Sequence, residues 1–306
     1  MFITCLVPLQ LTIKETGEIV WLNEKPSSTL LCRPVRFRFV KETKEVLIEE
    51  LQYIKSQDCR PTVVAEGSYA IEHQREITMV DGKVATALSD VTNASNSCSM
   101  CGCTPKNMND LPKVLIMSQE LDQVAFQYGL STLHAWIRSM ECCLNLSYRM
   151  EFKKNQARGQ DLKEKVGKKK VEIQAALVEK LGIVVDRPKS GGSGSSNNGN
   201  CARRFFRNYT VVAGILGLEE ELLKRLFTIL CTFSCFQEIN ADKLEQYCLE
   251  TAELFVEKYP WFSMPQGLHK ILIHSHQVVR SKNLPIGMLS EEAQEANNKE
   301  FKATRE

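Results

Sequence analysis

The chain has 306 residues and is almost neutral, with 39 Lys and Arg against 37 Asp and Glu. Hydrophobic residues make up 43% and charged residues 25%, a balance that excludes a wholly disordered chain and a histone-like polycation. No apolar run reaches the roughly 18 residues of a membrane span, and the first residues lack the pattern of a signal peptide. We therefore expect an intracellular protein of roughly two domains that has no membrane partner and keeps most of its cysteines reduced.

Residues 1–92 predict an α/β segment. Strand-like patterns cover 2–13, 18–22 and 34–40, and helical spacing of apolar residues follows over 41–57. A second extended stretch, over 62–80, leads into Asp81. Strands, a helix and another strand in this order are typical of an α/β unit, and we expect its opening strand to precede Met1.

Residues 93–266 predict a mostly helical insertion, and residues 267–306 predict two further helices. The insertion begins with a turn-rich stretch that contains three cysteines, and a Gly/Ser/Asn-rich segment over 190–200 predicts a flexible loop. Helical patterns cover 115–180, 219–236, 241–258, 268–279 and the stretch from 290 onwards.

A pair of cysteines at metal-ligand spacing stands at the start of the insertion. Cys98 and Cys101 are separated by two residues, which suits two thiolate ligands of a tetrahedral Zn²⁺. A second Cys-x2-Cys is absent, so histidines, of which the chain has five, are the expected source of the missing ligands. His269 and His274 have a suitable mutual spacing but lie far downstream, so a solvent-facing turn and incidental histidines remain the alternative.

Carboxylates and basic residues offer weaker signals. Asp81 at a predicted strand end is placed where a Mg²⁺ ligand could be. An ordinary turn residue would give the same sequence pattern, so that remains the alternative. Acidic residues at 291, 292 and 295 are also what a helix start favours. Arg203 and Arg204 could clamp phosphate, and the 149–170 stretch has nine basic residues against three acids. A solvated helix surface is the alternative for both basic groups.

Several ordered blocks resemble one family, the Transib DNA transposases and the related catalytic subunit of the V(D)J recombinase. The blocks that carry the resemblance are GLSTLHAWIR at 129–138, ECCLNLSYR at 141–149, NGNCARRFF at 198–206, LHKILIH at 268–274 and LPIGMLSEEAQEANNK at 284–299. Their order and approximate spacing agree with the family along nearly the whole chain.

The resemblance implies a fold and a reaction. The family has a ribonuclease-H-like α/β domain interrupted by a helical zinc-containing insertion, and two Asp and one Glu hold two Mg²⁺ or Mn²⁺ ions. By resemblance, Asp81 matches the second Asp and Glu295 the Glu, with Glu292 as the fallback. The first Asp belongs to the opening strand, and upstream of Asp81 the sequence contains only Asp58, which follows a predicted helix.

The resemblance also implies ligands and partners. Cys98, Cys101, His269 and His274 would bind a structural Zn²⁺. The substrate would be double-stranded DNA in the nucleus, with a homodimer and an accessory recombinase subunit as further partners. The residues expected near DNA phosphates are Lys83, Arg149, Arg203, Arg204 and Lys299.

Three functions follow from these observations. The first is a transposase or recombinase core that nicks DNA and then joins the freed 3′-OH to the opposite strand. The second is a domesticated, zinc-stabilised protein that binds DNA without cutting it. The third is a zinc-stapled helical scaffold for protein partners.

Overall fold

The computed structural model describes residues 2–57, 60–64, 66, 69–76, 79–89, 97–121, 123–188 and 195–305. Short strands occupy the N-terminal segment and helices make up most of the remainder, in agreement with the predicted α/β class. Among the described helices, none combines the length and apolar character that crossing a membrane requires.

The described strands form three separate antiparallel pairs. Strand β1 (Phe2–Leu6) pairs with β4 (Arg33–Arg38), and β2 (Gln10–Thr12) pairs with β3 (Ile19–Leu22). Strand β5 (Thr62–Val64) pairs with β6 (Tyr69–Ile71). Because the pairs share no strand, the described residues do not assemble a ribonuclease-H-like sheet.

The β1–β4 pair lies between two helices. On one face, helix α1 (Lys44–Ser56) presents buried Glu50, which accepts a hydrogen bond from Thr4 at 2.6 Å and pairs with Arg38 at 3.4 Å. On the other face, Phe37 stacks edge-on against Phe301 at a centroid distance of 5.2 Å. The N-terminal strands are therefore fastened to the C-terminal end of the chain.

Helices build the rest of the molecule. A short helix, α2, covers Gly82–Leu88 and precedes the insertion. The helices that follow are α3 (Leu111–Gln119), α4 (Thr132–Ser147), α5 (Gln160–Leu181), α6 (Gly199–Arg207), α7 (Tyr209–Leu216), α8 (Glu220–Phe233), α9 (Ala241–Lys258), α10 (Gln266–Arg280) and α11 (Glu292–Arg305).

The core lies between α4, α6, α8, α9 and α10. Trp136 of α4 meets Phe206 and Phe227 edge-on at centroid distances of 6.0 and 6.2 Å. Its indole N–H donates to Ser234 Oγ at 2.8 Å, so the polar edge of this large side chain is satisfied inside the core. Helix α10, which carries the two candidate histidine ligands, packs against α9 and α4 in this core.

The prediction of an extended stretch over 62–80 is wrong at the C-terminal end of that stretch. Met79 and Val80 lie outside any strand, and residues 77 and 78 lie outside the described part. The backbone N–H of Met79 donates to Leu289 O at 2.9 Å and that of Val80 to Tyr128 O at 3.2 Å. Because these two N–H groups bond to Leu289 and Tyr128, Met79 and Val80 do not pair with a strand immediately before Asp81.

The loop predicted over 190–200 ends earlier than expected. Residues 190–194 lie outside the described part, and α6 begins at Gly199. Asn198 caps this helix by accepting a hydrogen bond from the N–H of Cys201 at 3.0 Å. An Asn at this position starts a helix, as its side chain satisfies a backbone donor that the first turn leaves free.

Candidate functional site

Four buried side chains, two from the start of the insertion and two from α10, converge on one point. The ligand atoms of Cys98, Cys101, His269 and His274 all lie within 4.8 Å of one another. Sγ of Cys101 is 3.4 Å from Nε2 of His269, although these residues are 168 positions apart in the chain. The structure therefore forms a Cys2His2 cluster from the four residues that the resemblance indicated.

The two cysteines project from a tight turn. The N–H of Cys98 donates to Cys103 O at 2.8 Å, and the N–H of Gly102 donates to Cys98 O at 2.9 Å. Gly102 has a φ of 68°, a left-handed conformation that favours glycine. The turn places both thiols on one side, whereas Cys103 is buried without joining the cluster.

Helix α10 supplies both histidines and orients one of them. His269 and His274 are five residues apart on this helix, and both are fully buried. Nδ1 of His274 lies 2.9 Å from Oε1 of Gln277, whose Nε2 donates to Ser118 O at 2.9 Å. The opposite ring nitrogen, Nε2, is buried and has no hydrogen-bond partner among the described residues, as expected of a nitrogen reserved for a metal.

Electrostatics favour a thiolate at the centre of the cluster. Burial alone would raise the pKa of Cys98, but contacts with Cys101, His269 and His274 outweigh it and hold the pKa well below its usual value. The pKa of Cys101 is raised by its contact with the Cys98 thiol and by burial. Thiolates are the form in which cysteines bind a metal, so a low pKa at Cys98 favours cation binding at this cluster.

A buried lysine adjoins the cluster. Nζ of Lys270 donates to Ser99 Oγ at 2.6 Å, and burial lowers the pKa of this amine while Cys98 and Cys101 act in the opposite direction. Sequence reasoning missed Lys270, since a lysine within a helical pattern usually predicts a solvent-exposed position.

The donor set fits Zn²⁺. Two thiols and two imidazoles are the ligand set of tetrahedral structural zinc sites, and the close spacing of the four ligand atoms leaves room for a single ion. Four protein ligands fill a tetrahedral shell and leave no position for the water that a catalytic zinc needs. The arrangement suits a structural ion.

Asp81 lies near the helix start that carries the acidic residues. Its Oδ1 caps α2 by accepting a hydrogen bond from the N–H of Val84 at 2.7 Å. The two residues before Asp81 donate their backbone N–H groups to other segments of the chain. The hydrogen bond from Met79 reaches Leu289 O, two positions before Glu291. The charge of Asp81 also contributes to raising the pKa of His134.

A network around His134 was missed by sequence reasoning. Nδ1 of His134 lies 2.8 Å from Ser131 Oγ and 3.3 Å from Oε1 of Glu291, and the Ser131 hydroxyl also donates to that carboxylate. The hydrogen bond with Glu291 raises the pKa of His134 against the opposing effect of burial. The only local signal was the helix cap, Ser131, three residues before the histidine.

The two acids in the first turn of α11 differ in their surroundings. Glu292 forms an ion pair with Arg203. The Glu295 carboxylate is half-buried and has no hydrogen bond or ion pair to any described residue. Within the described part of the chain, the Cys2His2 cluster is the one group of three or more metal-ligand side chains close enough to hold an ion.

Most of the basic residues predicted to contact DNA have intramolecular partners. Lys83 pairs with Glu42 at 3.1 Å, and Arg204 donates to the carbonyl groups that end α5. The guanidinium of Arg149 lies 5.9 Å from the ring centre of Phe262, and burial lowers its pKa. Arg203 is engaged with Glu292, whereas Lys299 is exposed.

Comparison with known proteins adds no relative. A scan of the chain against protein-family models and a search of curated proteins both return no match.

Proposed function

We propose that the chain is a zinc-stabilised core of the transposase and recombinase type that acts on double-stranded DNA. One observation carries the proposal: the buried Cys2His2 cluster that links the start of the insertion to α10. The Transib-like blocks imply the same four ligands, together with a nuclear location, a homodimer and an accessory subunit. A zinc staple at this position would hold the segment leading into α11 against the base of the insertion.

Zinc binding is tested by two cysteine variants of the same turn. Cys98→Ser removes a cluster ligand, and Cys103→Ser removes a buried thiol that lies outside the cluster. We expect one zinc per chain in the native protein and in Cys103→Ser, and loss of the ion from Cys98→Ser, measured by atomic emission. Full zinc retention by Cys98→Ser would remove the site assignment.

The catalytic part of the proposal assigns Asp81 and Glu295 to divalent-ion binding. Bound Mg²⁺ or Mn²⁺ would supply the Lewis acid that activates water for strand nicking. The unpartnered carboxylate of Glu295 and the proximity of Asp81 to the segment before α11 support this role. In the family, the freed 3′-OH then attacks the opposite strand.

A nicking assay on supercoiled plasmid with Mn²⁺ or Mg²⁺ tests this assignment. We expect nicking to disappear in Glu295→Gln and to persist in Glu179→Gln, which removes an exposed carboxylate from the distant helix α5. Unchanged nicking in Glu295→Gln would contradict the assignment of this carboxylate.

A second candidate function is DNA binding without cleavage. It is favoured by the carboxylate surroundings: Asp81 is used as a helix cap, Glu291 and Glu292 have partners, and the described residues hold no three-carboxylate cluster. Retained DNA binding with no nicking in either metal would select this function over the first.

A further inference from the structure

The start of α5 and the segment before it present cations that have no acidic partner. Lys153, Lys154, Arg158 and Lys163 are exposed, and none of them lies within ion-pair distance of a carboxylate in the described part of the chain. Two of the nearby acids pair with other lysines, and a third, Glu164, accepts a hydrogen bond from Gln160 at 3.0 Å. Asp161 pairs with Lys165 at 2.8 Å, and Glu151 pairs with Lys169 at 3.4 Å.

Two of these cations line a cleft of about 490 Å³. Lys154 and Arg158 stand in its wall, and the Arg158 guanidinium donates to Oε1 of Gln156 at 3.3 Å. Asn155, which also lines the cleft, donates to Ser263 Oγ at 3.1 Å and thereby fixes this wall to the segment before α10. The cleft is thus a positive surface attached to the folded core.

Three of the predicted DNA contacts elsewhere are poorly suited to a phosphate. Arg149, Arg203 and Arg204 would each have to give up a packed or hydrogen-bonded position before reaching a ligand. A cation whose charge is already matched releases less binding energy when it meets a phosphate, because it loses one partner to gain another. The unmatched cations at the start of α5 carry no such cost.

From these observations we infer that the cleft with Lys153, Lys154, Arg158 and Lys163, called here the cationic cleft, binds the phosphate backbone of double-stranded DNA. The inference rests on the proposed DNA-binding function and locates its main electrostatic contact. Lysine and arginine contacts to backbone phosphates position a duplex without reading its sequence. The cationic cleft therefore contributes affinity that is independent of base sequence and sensitive to salt.

The test compares two double variants with equal charge loss. Lys154→Gln with Arg158→Gln neutralises the cleft wall, and Lys165→Gln with Lys169→Gln neutralises two ion-paired lysines on α5. The dissociation constant for a short random-sequence duplex is measured over a salt series. For the cleft variant we expect weaker binding and a fall of about two in the slope of log affinity against log salt, since each phosphate contact contributes about one. The control should stay close to the native slope.

Each outcome has a definite meaning. If both double variants lose the same affinity and slope, only net charge matters and the cationic cleft is not the contact, although DNA binding stands. If the native protein fails to bind duplex DNA at any salt concentration, the proposed function fails and the inference fails with it. Native zinc content and circular dichroism in both variants establish that the fold is intact, and single Lys154→Gln and Arg158→Gln variants should each lose about one in slope.

Discussion

At the scale of single residues, the pairing of His134 with Glu291 joins two separate parts of the chain. Ser131 and His134 open α4, and Glu291 immediately precedes α11. The carboxylate is buried, and one of its oxygens, Oε2, has no hydrogen-bond partner among the described residues. A buried carboxylate is costly unless it is paired, and the His134 imidazole and the Ser131 hydroxyl are its partners.

This pairing predicts a pH-dependent contribution to stability. The folded-state pKa of His134 is raised, chiefly by its hydrogen bond with Glu291, so the folded chain holds the proton more tightly than the unfolded chain. The stabilisation is complete below the unfolded pKa of about 6.5 and is lost as the pH rises through the folded pKa. Glu291→Gln should therefore reduce the free energy of unfolding more at about pH 5.5 than at about pH 8.

Urea denaturation at both pH values measures the difference. Glu292→Gln serves as the control, because this neighbouring acid pairs with Arg203 and makes no contact with His134. An equal loss from Glu291→Gln at the two pH values would contradict the pairing. A titration of the His134 imidazole by NMR should show its pKa falling in the same variant.

At the scale of elements, the short 3-10 turn Ile286–Leu289 determines where α11 begins. Gly287 in this turn packs against the backbone at the end of α8, and a Cβ built there would lie 2.7 Å from Ser234 O and closer still to Cys235 O. Neither carbonyl can move without disturbing the helix end. The position therefore requires glycine for space, while its φ is ordinary.

Gly287→Ala should destabilise the fold by about 1–3 kcal/mol, the usual cost of forcing an extra group into a packed site. Thermal or urea unfolding measures this loss. Gly214→Ala on α7 is the matched control, as no atom outside its own helix lies within 4 Å of the added Cβ. There we expect a gain of about 0.5–1 kcal/mol, because alanine has the better helix propensity. A neutral Gly287→Ala would show that the turn relaxes easily.

Sequence patterns predict the helices of this chain better than its strands. The 241–258 pattern matches α9 at both ends, and Asn240 caps the helix by accepting a hydrogen bond from the N–H of Lys243 at 3.0 Å, since helical spacing and capping are local properties. Strand pairing depends on distant contacts, and the end of the 62–80 stretch forms no ladder because its donors bond to Tyr128 and Leu289. The same limit applies to Arg203, whose partner Glu292 is 89 residues away.

At the scale of the whole molecule, the Cys2His2 cluster connects the beginning of the insertion to α10, the helix that follows it. Residue spacing alone could not establish this, because a gap of 168 residues between Cys101 and His269 carries no geometric signal. The resemblance indicated the four ligands, and the structure brings them together. The zinc ion itself remains a prediction.

Chelation of the metal should destabilise the whole fold. A strong zinc chelator is expected to lower the unfolding midpoint by about 5 °C or more, because each kcal/mol lost shifts it by about 2–4 °C in a domain of this size. Differential scanning fluorimetry provides the measurement. The chelator should have no further effect on Cys98→Ser, and an equal shift in that variant would place the sensitive metal elsewhere.

The separation of the ligands has a consequence for biosynthesis. At a translation rate of roughly 5–20 residues per second, the ribosome needs about ten to thirty seconds to extend the nascent chain from Cys101 to His269. Throughout that interval the paired thiols have emerged without their imidazole partners, open to oxidants and to other soft cations. Loading of a metal onto this cluster would therefore be a late step in maturation, completed only after the whole insertion has been made.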